Sequence, residues 1–168
     1  QKLDFYRRIA DESPVSTVYL GEVICSKRTP FFEEKHLDEV AERLERAGKK
    51  VVFCSFSEVV IRRERNILMD WAKQEGRALE VNNTAALLHL KDRPHRIGAL
   101  LNVYNEETMA HLAGQGANHF ALLPELPRHV VGTLGAKAGE LGVGLEVQVF
   151  GRASLALSAR CYHARAHG

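Results

Sequence analysis

The feature that most constrains this chain is a regular alternation of short apolar runs with helical stretches. Apolar or β-rich runs fall at residues 15–23 (VSTVYLGEV), 51–56 (VVFCSF), 78–82 (ALEVN), 97–103 (IGALLNV), 118–123 (NHFALL) and 145–150 (LEVQVF), about 20–30 residues apart on average. Runs this short, rich in Val, Leu and Phe, read as buried strands. The stretches between them carry helical signals. Residues 33–47 put Leu37, Val40, Ala41, Leu44 and Ala47 on one face, with Gly48 as a stop. Ser57 is expected to cap a helix with Val60, Ile61, Leu68, Trp71 and Ala72 on its apolar face, ended by Gly76. Residues 84–90 form a short helix candidate. Asn105 caps another, with Glu106 and Glu107 in its first turn, and Pro127 opens a last one running to about residue 140. Residues 1–10, with Leu3, Phe5, Tyr6 and Ile9, read as the end of a further helix.

Strand–helix–strand repetition specifies an α/β class with a mostly parallel sheet. Two closures fit: an open doubly wound sheet, or most of an eight-stranded barrel, which takes about 250 residues. The chain starts with Gln1, inside a helix, and stops soon after a strand. The expectation is therefore an incomplete (β/α) barrel-like fold with about six parallel strands. Residues 1–168 would be a single partial domain, the N-terminal part of a longer parent. No G-x-G-x-x-G follows a strand and no G-x-x-x-x-G-K-[ST] is present, so a nucleotide site has no support.

Charge is nearly balanced, with 23 basic and 21 acidic residues and a net charge of +2. That gives no general drive toward nucleic acid, although Arg152, Arg160 and Arg165 make the end of the chain locally basic. No apolar run approaches the roughly 20 residues of a membrane span. Three widely spaced cysteines, Cys25, Cys54 and Cys161, do not read as a secreted disulfide framework. A reducing, cytoplasmic setting is expected.

In βα architectures, functional groups collect where strands end at their C-terminal side. The polar residues at those ends are Glu22 and Cys25, Ser55, Asn82 and Asn83, Tyr104 and Asn105, Glu125, and the segment from Arg152 onward. Cys25 lies in GEVICSKR, where Lys27 and Arg28 favour a thiolate fit for metal ligation or nucleophilic attack. A small buried side chain is the alternative. Cys54, inside VVFCSF, reads as core filler. Cys161 lies in SARCYHAR between two arginines, with His163 beside it. Glu22, Glu125 and Glu146 could act as acid, base or substrate clamp. The alternative for Glu125 is a helix N-terminal carboxylate. Glu146 lies inside a strand and points either into the barrel or toward the helices. There is no C-x-x-C, no H-E-x-x-H and no G-x-S-x-G.

Together, VYLGEVICSKR, LNVYN, LLPELPR and LEVQVFGRASLALSARCYHAR resemble the peptidase U32 family and, within it, the UbiV-like branch, over about residues 18–165. The resemblance implies a barrel-like β/α fold, a [4Fe–4S] cluster held by four cysteines, and a heterodimer with a UbiU-like partner. It also implies anaerobic, oxygen-independent hydroxylation in ubiquinone biosynthesis, with prephenate as oxygen donor and a ubiquinone precursor as the molecule hydroxylated. Cys25 and Cys161 match two of the four cluster ligands, and the other two would follow residue 168. Glu22, Arg28, Glu125 and Glu146 are candidates for the cavity wall, and Arg28 or Arg160 could pair with a carboxylate. The alternatives within the family are RNA base hydroxylation and a collagenase-like peptidase.

Overall fold

The computed structural model describes residues 2–28 and 34–153. Six parallel strands form one sheet in the order β1-β2-β3-β4-β5-β6, each strand pairing with its neighbour in sequence. They are β1 (Thr17–Gly21), β2 (Lys50–Cys54), β3 (Leu79–Val81), β4 (His95–Ile97), β5 (Ala117–Leu122) and β6 (Gly144–Val147). Helices alternate with them: α1 (Lys2–Glu12), α2 (Glu34–Arg46), α3 (Arg62–Lys73), α4 (Leu87–Leu90), α5 (Glu106–Ala113) and α6 (Arg128–Leu141). A doubly wound sheet would reverse its strand order at a switch point. This one never does, and it curls into an open half-barrel.

Successive side chains on a strand point to opposite faces. One set (Leu20, Phe53, Val81, Ile97, Phe120 and Leu122) is buried with the helices. It divides into two apolar clusters. The first joins β1–β3 to α1, α2 and α3, and the second joins β4–β6 to α5 and α6. Leu87 and Leu101 pack against both, so the clusters meet without a gap in the sheet. The other set faces the hollow of the curl and carries the polar groups described below.

Several helix ends follow their sequence signals. Asn105 Oδ1 accepts from Thr108 N at 2.8 Å, and Pro127 stands at the N-cap of α6. The start of α3 differs. Ser57 does not cap it; Ile61 is the N-cap residue, and Glu64 reaches back to accept from Val60 N at 2.9 Å and Ile61 N at 3.1 Å. Val60 and Ile61 are exposed, so the buried face of α3 begins at Glu64 and continues through Leu68, Trp71 and Ala72. At the other end of α3, the Arg93 guanidinium donates to the carbonyls of Ala72 and Gln74.

The fourth strand is also displaced. The sequence places it at 97–103, but it runs His95–Ile97 and gives way to a 3₁₀ turn at Ala99–Leu101. Ile97 packs outward at the strand's end, and Gly98 N donates to Val81 O at 2.8 Å as the chain leaves the sheet. The apolar run GALLNV thus covers the rim of the sheet instead of extending it.

Phe120 is fully buried at the centre of the second cluster. Phe120→Ala should lower unfolding stability by about 3–5 kcal/mol, the usual cost of emptying a buried aromatic site. Leu88→Ala, at a residue 81% exposed, should change it by less than about 0.5 kcal/mol. Paired urea titrations measure both.

Candidate functional site on the concave face

The inward set of strand residues is polar on five of the six strands. Tyr19 comes from β1, Glu80 from β3, Arg96 from β4, His119 from β5 and Glu146 from β6, with Cys54 from β2 beside them. In-register pairing places Cys54 beside Glu80, Glu80 beside Arg96, and Arg96 beside His119. The Tyr19 hydroxyl donates to Glu146 Oε2 at 2.5 Å and accepts from Arg96 Nη1 at 2.7 Å. His119 Nε2 lies 2.9 Å from the same Glu146 oxygen. A carboxylate only accepts, so Nε2 carries the hydrogen there. Burial, reinforced by the bond to Glu146, pushes the Tyr19 phenol well up, with Arg96 opposing, so Tyr19 keeps its proton.

Glu80 is buried, and its Oε1 accepts from Asn82 Nδ2 at 3.0 Å. Burial raises its pKa above the ordinary carboxylate range. The charge of Glu146 adds to that, while Asn82, Cys54 and Arg96 pull the other way. Burial also pushes the Cys54 thiol up, with Glu80 next in effect, so Cys54 is a neutral thiol. Cys54 is buried as its sequence setting predicts, but it sits under the polar face and outside both apolar clusters.

Two glycines make room for this arrangement. A Cβ on Gly144 would collide with His119 Nδ1, and one on Gly98 would collide with Asn82 Oδ1. At both positions the backbone itself forms the wall against which a functional side chain rests.

A cavity of about 370 Å³ opens on this face, within the usual range for small-molecule sites. Glu80, Asn82, Glu146 and Gln148 supply its polar groups. Val23, Ala99, Leu100, Ala121, Leu122 and Val147 supply an apolar wall. Glu146, whose direction the sequence left open, points into the half-barrel. Glu22 and Arg28 stay on the loop after β1. The Glu22 carboxylate accepts from Ile24 N at 2.9 Å and lies 3.7 Å from Arg28, whose side chain is mostly exposed. Glu125 accepts from the Tyr104 hydroxyl at 3.2 Å in an exposed pair, and neither residue lines the cavity. Glu125 is therefore not brought to the site. Arg160 and Cys161 lie outside the described residues.

Cys25 is half-buried on that same loop. The loop is fixed from two sides. Ser57 N donates to Val23 O at 2.8 Å and Glu58 N to Ile24 O at 2.9 Å, tying it to the segment after β2. Ser26 Oγ donates to Glu64 Oε1 at 2.6 Å, so the carboxylate that caps α3 also holds the residue next to Cys25. Burial alone would raise the Glu64 pKa. The bonds from Ser26, Val60 and Ile61, with Lys27 nearby, outweigh it and leave the pKa lowered.

The described residues do not by themselves form a cluster site. A cubane cluster takes four thiolates. Cys25 is the single thiol on the rim loop among the described residues, and Cys54 is neutral and buried. No group of three or more His, Cys, Asp or Glu side chains among the described residues is placed to hold a metal ion. No helix among them is long and apolar enough to cross a membrane.

A parallel β/α half-barrel with a polar hollow and rim loops at the strands' C-terminal ends places the chain in the β/α-barrel class of folds. The family model described as Peptidase family U32 matches residues 3–168, and the chain belongs to that family. No solved structure matches it.

Glu64→Gln removes an anionic acceptor shared by the α3 cap and the Cys25 loop. It should lower stability at pH 7 by about 0.5–2 kcal/mol, the range for losing a helix cap. Because the folded-state pKa of Glu64 is lowered, its contribution is complete above the ordinary value of 4.5 and fades as pH falls below it. The gap between wild type and variant should therefore shrink in urea titrations run at progressively lower pH below 4.5. Alkylation of Cys25, followed by peptide mass mapping, should be faster in the variant.

Proposed function

We propose that this chain is the iron–sulfur component of an oxygen-independent hydroxylation in ubiquinone biosynthesis, a UbiV-like protein acting in a heterodimer with a UbiU-like partner. Cys25 and Cys161 serve as two of four thiolate ligands to a [4Fe–4S] cluster. A prephenate-like acid is the oxygen donor, and a ubiquinone precursor is the molecule hydroxylated.

The observation that carries the reading is the placement of Cys25. It is the half-buried thiol of a loop at the C-terminal end of β1, where barrel enzymes present their chemistry, and the Glu64 clamp fixes the adjacent residue. A ligand loop tied down by hydrogen bonds loses little freedom when its thiolate is captured. Membership of the U32 family, and GEVICSKR and SARCYHAR in one chain, support the same reading. When bound, the cluster would supply one-electron chemistry. The chain's own residues would hold and orient a small polar substrate in the concave cavity.

The test is iron and acid-labile sulfide content, with a visible spectrum, on the anaerobically purified full-length parent. About four irons per chain are expected. Cys25→Ala and Cys161→Ala should each lose most of the iron and the visible absorption. A full complement of iron in either variant would overturn the ligand assignment, and no iron after anaerobic reconstitution would overturn the cofactor and the function together.

A further inference from the structure

We propose that the concave cavity is a proton-transfer site, in which Glu80 gives a proton to a small bound molecule and Glu146 takes one from it. The inference stands on the cavity and its two carboxyl groups, and needs neither the cluster nor the quinone pathway.

Both glutamates line the same cavity, from strands β3 and β6, yet their surroundings differ in kind. Glu146 is built as an acceptor. One of its oxygens already receives the Tyr19 hydroxyl and the His119 ring N–H, donors that match a charged carboxylate. Glu80 is enclosed. Asn82 on its own strand segment donates to it, the neutral Cys54 thiol stands beside it from β2, and Arg96 is its register neighbour on β4. The charged groups facing it are thus Arg96 and Glu146, with the buried thiol between strands. Burial and the Glu146 charge favour its protonated form. An enclosed carboxyl held toward its protonated form, lining the same cavity as a carboxyl that already accepts two hydrogen bonds, is an arrangement that supplies an acid and a base at one site.

The chemistry suited to such a pair is a proton shift in a small, partly apolar molecule, such as an enolisable carbonyl compound. Written as H–X–Y=Z, the ligand loses its X-bound proton to Glu146 and gains the Glu80 proton at Z. The electron pair of the X–H bond becomes the new X=Y bond, and the Y=Z π pair becomes the new Z–H bond. The ligand leaves as X=Y–Z–H. Glu80 is left as a carboxylate beside Arg96 and Glu146 as a neutral acid, and exchange with solvent water restores both. No oxidant or reductant is required.

An α-aryl diazoacetamide tests the donor directly, because such reagents esterify protonated carboxyls. The carboxyl proton moves to the diazo carbon, the carboxylate oxygen bonds to that carbon, and dinitrogen leaves. The full chain is treated at pH 7 and its esters are located by peptide mass mapping. Glu80 should be labelled several-fold faster than the exposed Glu12, Glu39 and Glu45. In Glu146→Gln, which removes a charge that favours the protonated form, Glu80 labelling should drop toward the rate of those surface residues. Labelling of Glu80 no faster than the surface glutamates in the wild type would overturn the proposal. An unchanged Glu80 rate in a folded Glu146→Gln would overturn the pairing of the two carboxyls.

Discussion

The hydrogen bond from Tyr19 to Glu146 joins the first strand of the sheet to the last. These strands are not neighbours in the sheet, and 127 residues separate the two side chains in sequence. A sheet this size could lie nearly open. The tie holds its two ends toward each other across the hollow, and Arg96 and His119 complete it from β4 and β5. The curl then brings polar groups from separate strands to one cavity. Partly buried, charge-assisted hydrogen bonds of this kind are stronger than their exposed counterparts, and removing one member takes a partner from each group it bonds.

The tie depends on the division of each strand into two faces. Leu20, Phe53, Val81, Ile97 and Phe120 drive assembly by packing against the helices. Their alternation partners are then free to be polar, because they face a hollow and no second layer of helices. Glycine enters where the backbone must come close: at Gly144 behind His119, and at Gly98 behind Asn82. The rim loop with Cys25 is built separately, from the segment after β2 and from the first turn of α3. Scaffold, cavity and rim loop are thus linked but individually supported.

Much of the fold was legible because it rests on local, periodic signals. The six strands, their parallel alternation with helices, the cap at Asn105 and the helix opened at Pro127 follow from residue patterns. The start of α3 was not legible, because Glu64 caps it from inside the helix while Ser57, the better cap by residue type, bonds to the Cys25 loop. The fourth strand was misplaced because GALLNV is apolar for packing over the sheet's rim, and apolarity alone does not distinguish that from pairing. For the cavity, sequence reading found Glu146 and Asn82 but not Tyr19, Glu80, Arg96 or His119. Attention to loops after strands missed side chains within them. The available signal was charge inside short strands: Glu80 lies between buried Leu79 and Val81, Arg96 precedes buried Ile97, His119 precedes buried Phe120, and Glu146 sits within β6. A strand covered by helices on both faces would not tolerate that.

The most direct measurement of the central tie is ¹⁵N NMR of the imidazole of His119 in the full chain. The His119–Glu146 bond requires the tautomer with hydrogen on Nε2, and Glu146→Ala should shift both ring nitrogen signals clearly. A ring protonated on Nδ1 alone, with shifts indifferent to residue 146, would contradict it.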